Sequence, residues 1–129
     1  MPPLVGRSAG MHRDQRLRRR KDFAAVYRTG RAQGNRLLVV RIHPNEGDIT
    51  RFGFVAGKVV GGAVVRNRVK RRLREAARKL DVKPGLDIII GARKAAADAD
   101  SHELNRALAS LLARGGALQP LAGALEETL

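Results

Sequence analysis

Residues 66–75 read Arg66-Asn67-Arg68-Val69-Lys70-Arg71-Arg72-Leu73-Arg74-Glu75. From Arg66 to Lys79 the chain carries eight basic residues and one acid, Glu75. A charge run is commonly a solvated face, so the spacing decides its meaning. On a helix, Val65, Val69, Leu73, Ala76 and Leu80 fall on one stripe. Arg66, Lys70, Arg74 and Arg78 recur every four residues beside that stripe. Arg68, Arg71, Arg72 and Lys79 fill most of the rest. The pattern predicts a helix over about residues 63–80 with one face made for burial. Like charges this dense repel one another along a helix, so the remaining faces call for a polyanion.

The same imbalance extends outward from the helix. The 129-residue chain has a net charge of +14, which points to nucleic acid. Residues 1–83 hold 22 Lys and Arg against 6 Asp and Glu; residues 84–129 hold 4 against 6. The basic surface therefore belongs to the first two-thirds, with the rest as support. With 43% hydrophobic residues, the charge is carried by a folded domain and not by a disordered tail. The absence of cysteine excludes disulfides, cysteine-based zinc sites and thiol catalysis, and fits a reducing cytoplasm. No apolar run approaches a membrane span of roughly 20 residues.

Punctuation by glycine and proline divides the chain. Residues 1–12 contain Pro2, Pro3, Gly6 and Gly10 and read as a disordered extension, with Met11 a candidate alternative start. Residues 13–115 read as one nucleic-acid-binding domain and residues 116–129 as a frayed tail. Within the domain, Phe23, Val26 and Tyr27 share the face of a short helix that Gly30 and Gly34 break. Residues 36–43 and 51–57 read as strands, most simply paired antiparallel, with a short earlier strand admitted near residues 30–35. Residues 86–92 are apolar enough for a central strand. Asp100 and Glu103 have capping-box spacing ahead of a final helix that Gly115-Gly116 stops. The fold class is α+β: a small mixed sheet with three helices, in the order α-β-β(-β)-α-β-α.

Each constellation has a bland reading beside its functional one. The basic helix is Arg-heavy, and Arg forks match phosphate oxygens. Asn67 adds a neutral group suited to a ribose or base edge. The glycines before the helix let backbone N–H groups approach an anion. Phe23 and Tyr27 lie one helical turn apart. Spacing alone favours plain core packing, and the alternative is a stacking platform for unpaired bases. Tyr27 tolerates exposure better and is the stronger base-contact candidate. The run Gly53 to Val59 lacks the spacing and the Ser/Thr of a phosphate loop. His12, His43 and His102 are scattered and make a poor metal site. Asp98, Asp100, Glu126 and Glu127 sit with no candidate base or ligand. No catalytic constellation of protein side chains is evident.

Gly53, Lys58, Gly61, Ala63-Val64, Arg66-Asn67-Arg68-Val69-Lys70-Arg71 and Arg74-Glu75 together resemble the protein subunit of bacterial ribonuclease P. Asp22-Phe23 with Tyr27 and Gly30 is similar to that family's first helix. Asn35-Arg36 is similar to a strand entry, and Ile88-Ile89-Ile90 with Arg93-Lys94 to a later strand and its exit. The resemblance covers roughly residues 14–114. It implies a fold like the second domain of ribosomal protein S5, with a left-handed β-α-β crossover. It also implies a protein that binds the catalytic RNA and the 5′ leader of precursor tRNA in endonucleolytic 5′ maturation. Mg²⁺ would act through the RNA, with no cofactor on the protein and no obligate protein partner.

Carried over by position, Arg66, Asn67, Arg68, Lys70, Arg71 and Arg74 would contact the catalytic RNA. Phe23, Tyr27, Arg41 and Lys58 would line the leader cleft. The chain departs from many members at Gly57-Lys58-Val59, at Gly62 and at Arg41, where a guanidinium plane would replace an aromatic ring. Two other readings compete: a ribosomal or assembly protein using the same fold on ribosomal RNA, and a self-sufficient nuclease.

Overall fold

The structure, a computed structural model, describes residues 15–119. The elements run α1 (Arg20–Thr29), β1 (Arg31–Gly34), β2 (Leu38–Pro44), β3 (Arg51–Ala56), α2 (Ala63–Arg78), β4 (Leu86–Ala92), a 3-10 turn (Lys94–Asp98) and α3 (Ser101–Arg114). The four strands form one sheet in the order β1-β2-β4-β3. β2 is antiparallel to both β1 and β4, and β3 is parallel to β4. The architecture is the expected α+β layer, and the short early strand is present as β1.

One pairing differs from the sequence expectation. β2 and β3 run in opposite senses but are not neighbours, because β4 lies between them. The reason is burial. Ile88 and Ile90 face the main core while Ile89 faces the other side, so β4 is stable only with both faces covered and both edges paired. The connection from β2 to β3 accordingly wraps the entry to β4 in place of a tight hairpin. Asn45 N–H donates to the Gly85 carbonyl at 2.8 Å, and Thr50 Oγ donates to the Lys83 carbonyl.

The sheet separates two cores. On one face, α2 and α3 cover Leu38, Val40, Ile42, Phe52, Ile88 and Ile90. α2 contributes Val69, Leu73, Ala76 and Ala77, and α3 contributes Leu104, Leu108, Leu111 and Leu112. On the opposite face, α1 packs Val26 and Phe23 against Ile89, Val55 and Leu17. α2 ends at Arg78, slightly short of the predicted Leu80, which is still packed on the core. The capping box of α3 is formed: Glu103 N–H donates to Asp100 Oδ1, and Asp100 N–H donates to Glu103 Oε1.

The assignment of residues 1–12 to a disordered extension lies outside the described residues, as does that of residues 120–129 to a tail. Residues 116–119, expected to fray, instead return to the domain. Ala117 is buried, and Val82 and Leu118 form an antiparallel bridge.

Two substitutions probe this frame. Ile90→Ala removes a fully buried side chain and is expected to cost about 2–5 kcal/mol. Asp100→Ala removes the cap and is expected to cost about 1 kcal/mol. Urea unfolding of each variant measures both.

Candidate nucleic-acid interface

α2 starts after a glycine turn in which Gly61 adopts φ +149, a conformation that favours glycine. Its N-cap, Gly62, provides no side-chain acceptor, and its first turn holds no acid. Once Val69, Leu73, Ala76 and Ala77 are buried, the cations have three places to go. Arg71 is exposed on the outer face, one turn from the neutral Asn67. Arg66, Lys70 and Arg74 form the flank on the β3 side, where the Arg74 guanidinium lies 5.6 Å from the centre of the Phe54 ring. Arg68 and Arg72 form the other flank.

That second flank is tied into the protein. Arg68 donates to the Ala97 carbonyl at 3.2 Å and Arg72 to the Ala99 carbonyl at 3.0 Å. Both acceptors lie at the end of the 3-10 turn, so two arginines one turn apart fasten α2 to the approach of α3. The Nε atoms of Arg66 and Arg68 are buried without a hydrogen-bond partner among the described residues. Glu75, the one acid on α2, pairs with Arg78. The charge left on the outer face and the β3-side flank is therefore almost purely positive.

The opposite face of the sheet holds the aromatic pair, and the structure separates its members. Phe23 packs on Gly53, where a Cβ would come within 2.7 Å of the ring. Tyr27 is 47% exposed, with the Arg41 guanidinium 5.0 Å from its ring centre. Register explains the grouping. Arg41, Ile89 and Gly53 align across β2, β4 and β3, as do Val39, Gly91 and Val55 in the next row. Small and half-buried residues thus pave the sheet beside the Tyr27–Arg41 stack. Lys58, exposed in the turn after β3, stands at the end of that strand.

A polar row closes the far end of this face. Arg51 grips the buried Asp87 with two hydrogen bonds of 2.8 and 2.7 Å and reaches Asp22 of α1 at 3.4 Å. Asn45 Nδ2 donates to Asp87 Oδ1 at 2.9 Å. The bonds to Asp87 hold the Arg51 pKa above its ordinary value against an opposing effect of burial, and the charges of Asp87 and Asp22 add to the rise. His43 lies in the same row and meets Thr29. Among the described residues, no three of His, Asp and Glu gather as metal ligands would. No described helix is long and apolar enough to cross a membrane.

The sequence singled out the aromatic pair and the cations of α2, and the resemblance singled out Arg41. Both missed the anchoring role of Arg72 and the Thr29–His43 contact, because partners 27 and 14 residues away leave no periodic signal.

Comparison with known proteins agrees with this fold. The Ribonuclease P family model matches residues 11–116. The ribonuclease P protein component of Symbiobacterium thermophilum is 46% identical over 112 residues, covering 84% of this chain and 97% of its own. That of Streptomyces bikiniensis is 45% identical over 112 residues, covering 78% and 91%. Among solved structures, the Staphylococcus aureus RNase P protein superposes with a TM-score of 0.75 at 31% identity, covering 81% of this chain and 98% of that one. The Thermotoga maritima protein gives 0.70 at 33%, covering 77% and 96%. The chain belongs to the ribonuclease P protein family, RNA-binding components of an endoribonuclease of tRNA processing. Membership displaces the ribosomal reading.

Arg72→Met is expected to cost about 1–3 kcal/mol in urea unfolding, because it leaves a partly buried carbonyl without its donor. The salt dependence of RNA binding should stay unchanged in this variant, whereas Arg71→Ala should flatten it.

Proposed function

We propose that the two faces of the sheet serve two RNAs. The exposed and β3-side cations of α2 (Arg66, Lys70, Arg71 and Arg74), with the neutral Asn67 among them, contact the catalytic RNA. Arg68 joins them through the donors not spent on Ala97. Across the sheet, the single-stranded 5′ leader of precursor tRNA lies against Tyr27 and Arg41. Phe23 supports that surface from below and Lys58 meets leader phosphate. The observation that carries this reading is the division itself. On one face α2 presents dense charge with a single carboxylate of its own, Glu75, and the other face presents one exposed ring beside one guanidinium. Dense charge suits a folded phosphate backbone, whereas a ring beside a flat floor suits unstacked bases.

In this reading the RNA performs the cleavage. Hydrolysis of a phosphodiester needs an activated water and stabilisation of the leaving oxygen, which Mg²⁺ held largely by the RNA supplies. The protein neutralises phosphates, so the RNA compacts at lower Mg²⁺, and it holds the leader in line for the cut. The holoenzyme would work in the cytoplasm with ribonuclease P RNA and precursor tRNA as its partners.

Reconstitution tests this. With a bacterial ribonuclease P RNA at low Mg²⁺, adding the protein should restore removal of the 5′ leader. No gain over RNA alone would remove the proposal. In the same assay, Tyr27→Ala should weaken binding of precursor tRNA and leave mature tRNA unaffected. An equal loss for both would take Tyr27 out of the leader path.

A further inference from the structure

α1 carries Tyr27, yet it is a poor helix on its own. It has 10 residues and no side-chain hydrogen bond at its N-cap. An isolated helix of this length is marginal in water. Its placement on the sheet therefore depends on tertiary contacts, and two of these are polar. Near its start, Asp22 meets Arg51 on β3 at 3.4 Å. At its last residue, Thr29 Oγ lies 3.1 Å from His43 Nδ1 on β2. The Thr29 hydroxyl donates to the Ala25 carbonyl at 2.8 Å. Its one proton is then used, so the ring must donate from Nδ1–H to Thr29 Oγ.

The two contacts belong to one cross-strand row. His43 pairs in register with Asp87, and Asp87 with Arg51. From Asp22 to Thr29 a helix advances about 10 Å, and from β2 to β3 across β4 is about 9.6 Å. α1 therefore lies across the strands, with one end fixed to each outer member of the row. The next row carries the working contacts: Phe23 over Gly53 and Tyr27 over Arg41. Tyr27 is two residues before Thr29, and Arg41 is two residues before His43 on the same face of β2. The hydrogen bond and the stack are thus adjacent contacts between the last turn of α1 and one strand.

We propose that Thr29 and His43 are positioning residues for the leader surface. Their hydrogen bond sets the last turn of α1 on β2 and so holds the Tyr27 ring against the Arg41 guanidinium. Without it, the helix end frays towards Gly30 and the ring leaves the plane on which a base would stack. The proposal rests on the leader reading of Tyr27, and it adds two residues that need not touch RNA.

The test uses the holoenzyme reconstituted with a bacterial ribonuclease P RNA. It compares a precursor tRNA bearing a leader of several nucleotides with one bearing a single nucleotide. Thr29→Val keeps the shape and removes the acceptor, and Thr29→Ser restores it. Thr29→Val should raise KM for the long-leader precursor about two- to tenfold. It should leave kcat and the single-nucleotide precursor unchanged, and Thr29→Ser should return KM to the parent value. His43→Leu should repeat the Thr29→Val result, and His43→Gln, which keeps a donor, should be milder. Equal KM increases on both precursors would reduce the contact to general stability and overturn the proposal. So would an unchanged KM in Thr29→Val where Tyr27→Ala raises it. If Tyr27→Ala has no effect on the long-leader precursor, the leader reading fails first and this inference falls with it.

Discussion

The seating of α2 on the β3–β4 face is the contact on which the rest of the molecule depends. A helix with seven cations over residues 66–78 gains nothing from its own charges, which repel. It is held by Val69, Leu73, Ala76 and Ala77, all buried. The two large side chains alone contribute roughly 1.5–3 kcal/mol each. The bonds from Arg68 and Arg72 to the Ala97 and Ala99 carbonyls add to this, and they turn two of the repelling charges into fasteners. The arrangement keeps the other cations in place without a partner RNA, so the surface is preformed for its ligand and the ordering cost at binding is small.

From that seating follows the division of the protein. α2 and α3 occupy one face, which leaves the other for α1 and the short segment around Leu17. β4, buried on both sides, is the partition. The two faces are built from different physics. On the α2 side the determinants are charge density and the fork geometry of arginine, which favour phosphate irrespective of sequence. On the α1 side the determinant is the pose of one ring and one guanidinium, set by cross-strand register and by the polar row of His43, Asp87 and Arg51. Under the proposed function the protein has reason to keep these apart. A tight, salt-sensitive grip on a permanent RNA and a lighter contact with a substrate that must leave make opposite demands on affinity.

Much of this was legible in the chain, and the gaps have physical reasons. The limits of β4, the capping box of α3 and the burial stripe of α2 were readable because each is a local signal: an apolar run, a pair at fixed spacing, a period near 3.6. The pairing of β2 with β4 was not, since strand order follows from which strand most needs double coverage. The split between Phe23 and Tyr27 was also hidden. Equal helical spacing cannot tell which of two rings meets a glycine on the strand below. Gly53 decides it, by opening room for Phe23 and leaving Tyr27 at the rim. Arg41 beside Tyr27 was signalled by the resemblance, while the geometry of the stack came only with β2 in place. Arg68 and Arg72 read as two more cations because their acceptors are backbone carbonyls, to which sequence pattern is blind.

The central claim is that opposite faces of one sheet meet different RNAs. The chain has no cysteine, so a single introduced cysteine can carry a tethered hydroxyl-radical probe without ambiguity. Val64→Cys places it on α2, where the native side chain is 80% exposed, and Ala24→Cys places it on the exposed side of α1. In the reconstituted holoenzyme with precursor tRNA bound, the account predicts strand scission of the catalytic RNA from position 64 and of the 5′ leader from position 24. Scission of the same RNA segment from both positions, or of the leader from position 64 alone, would contradict it.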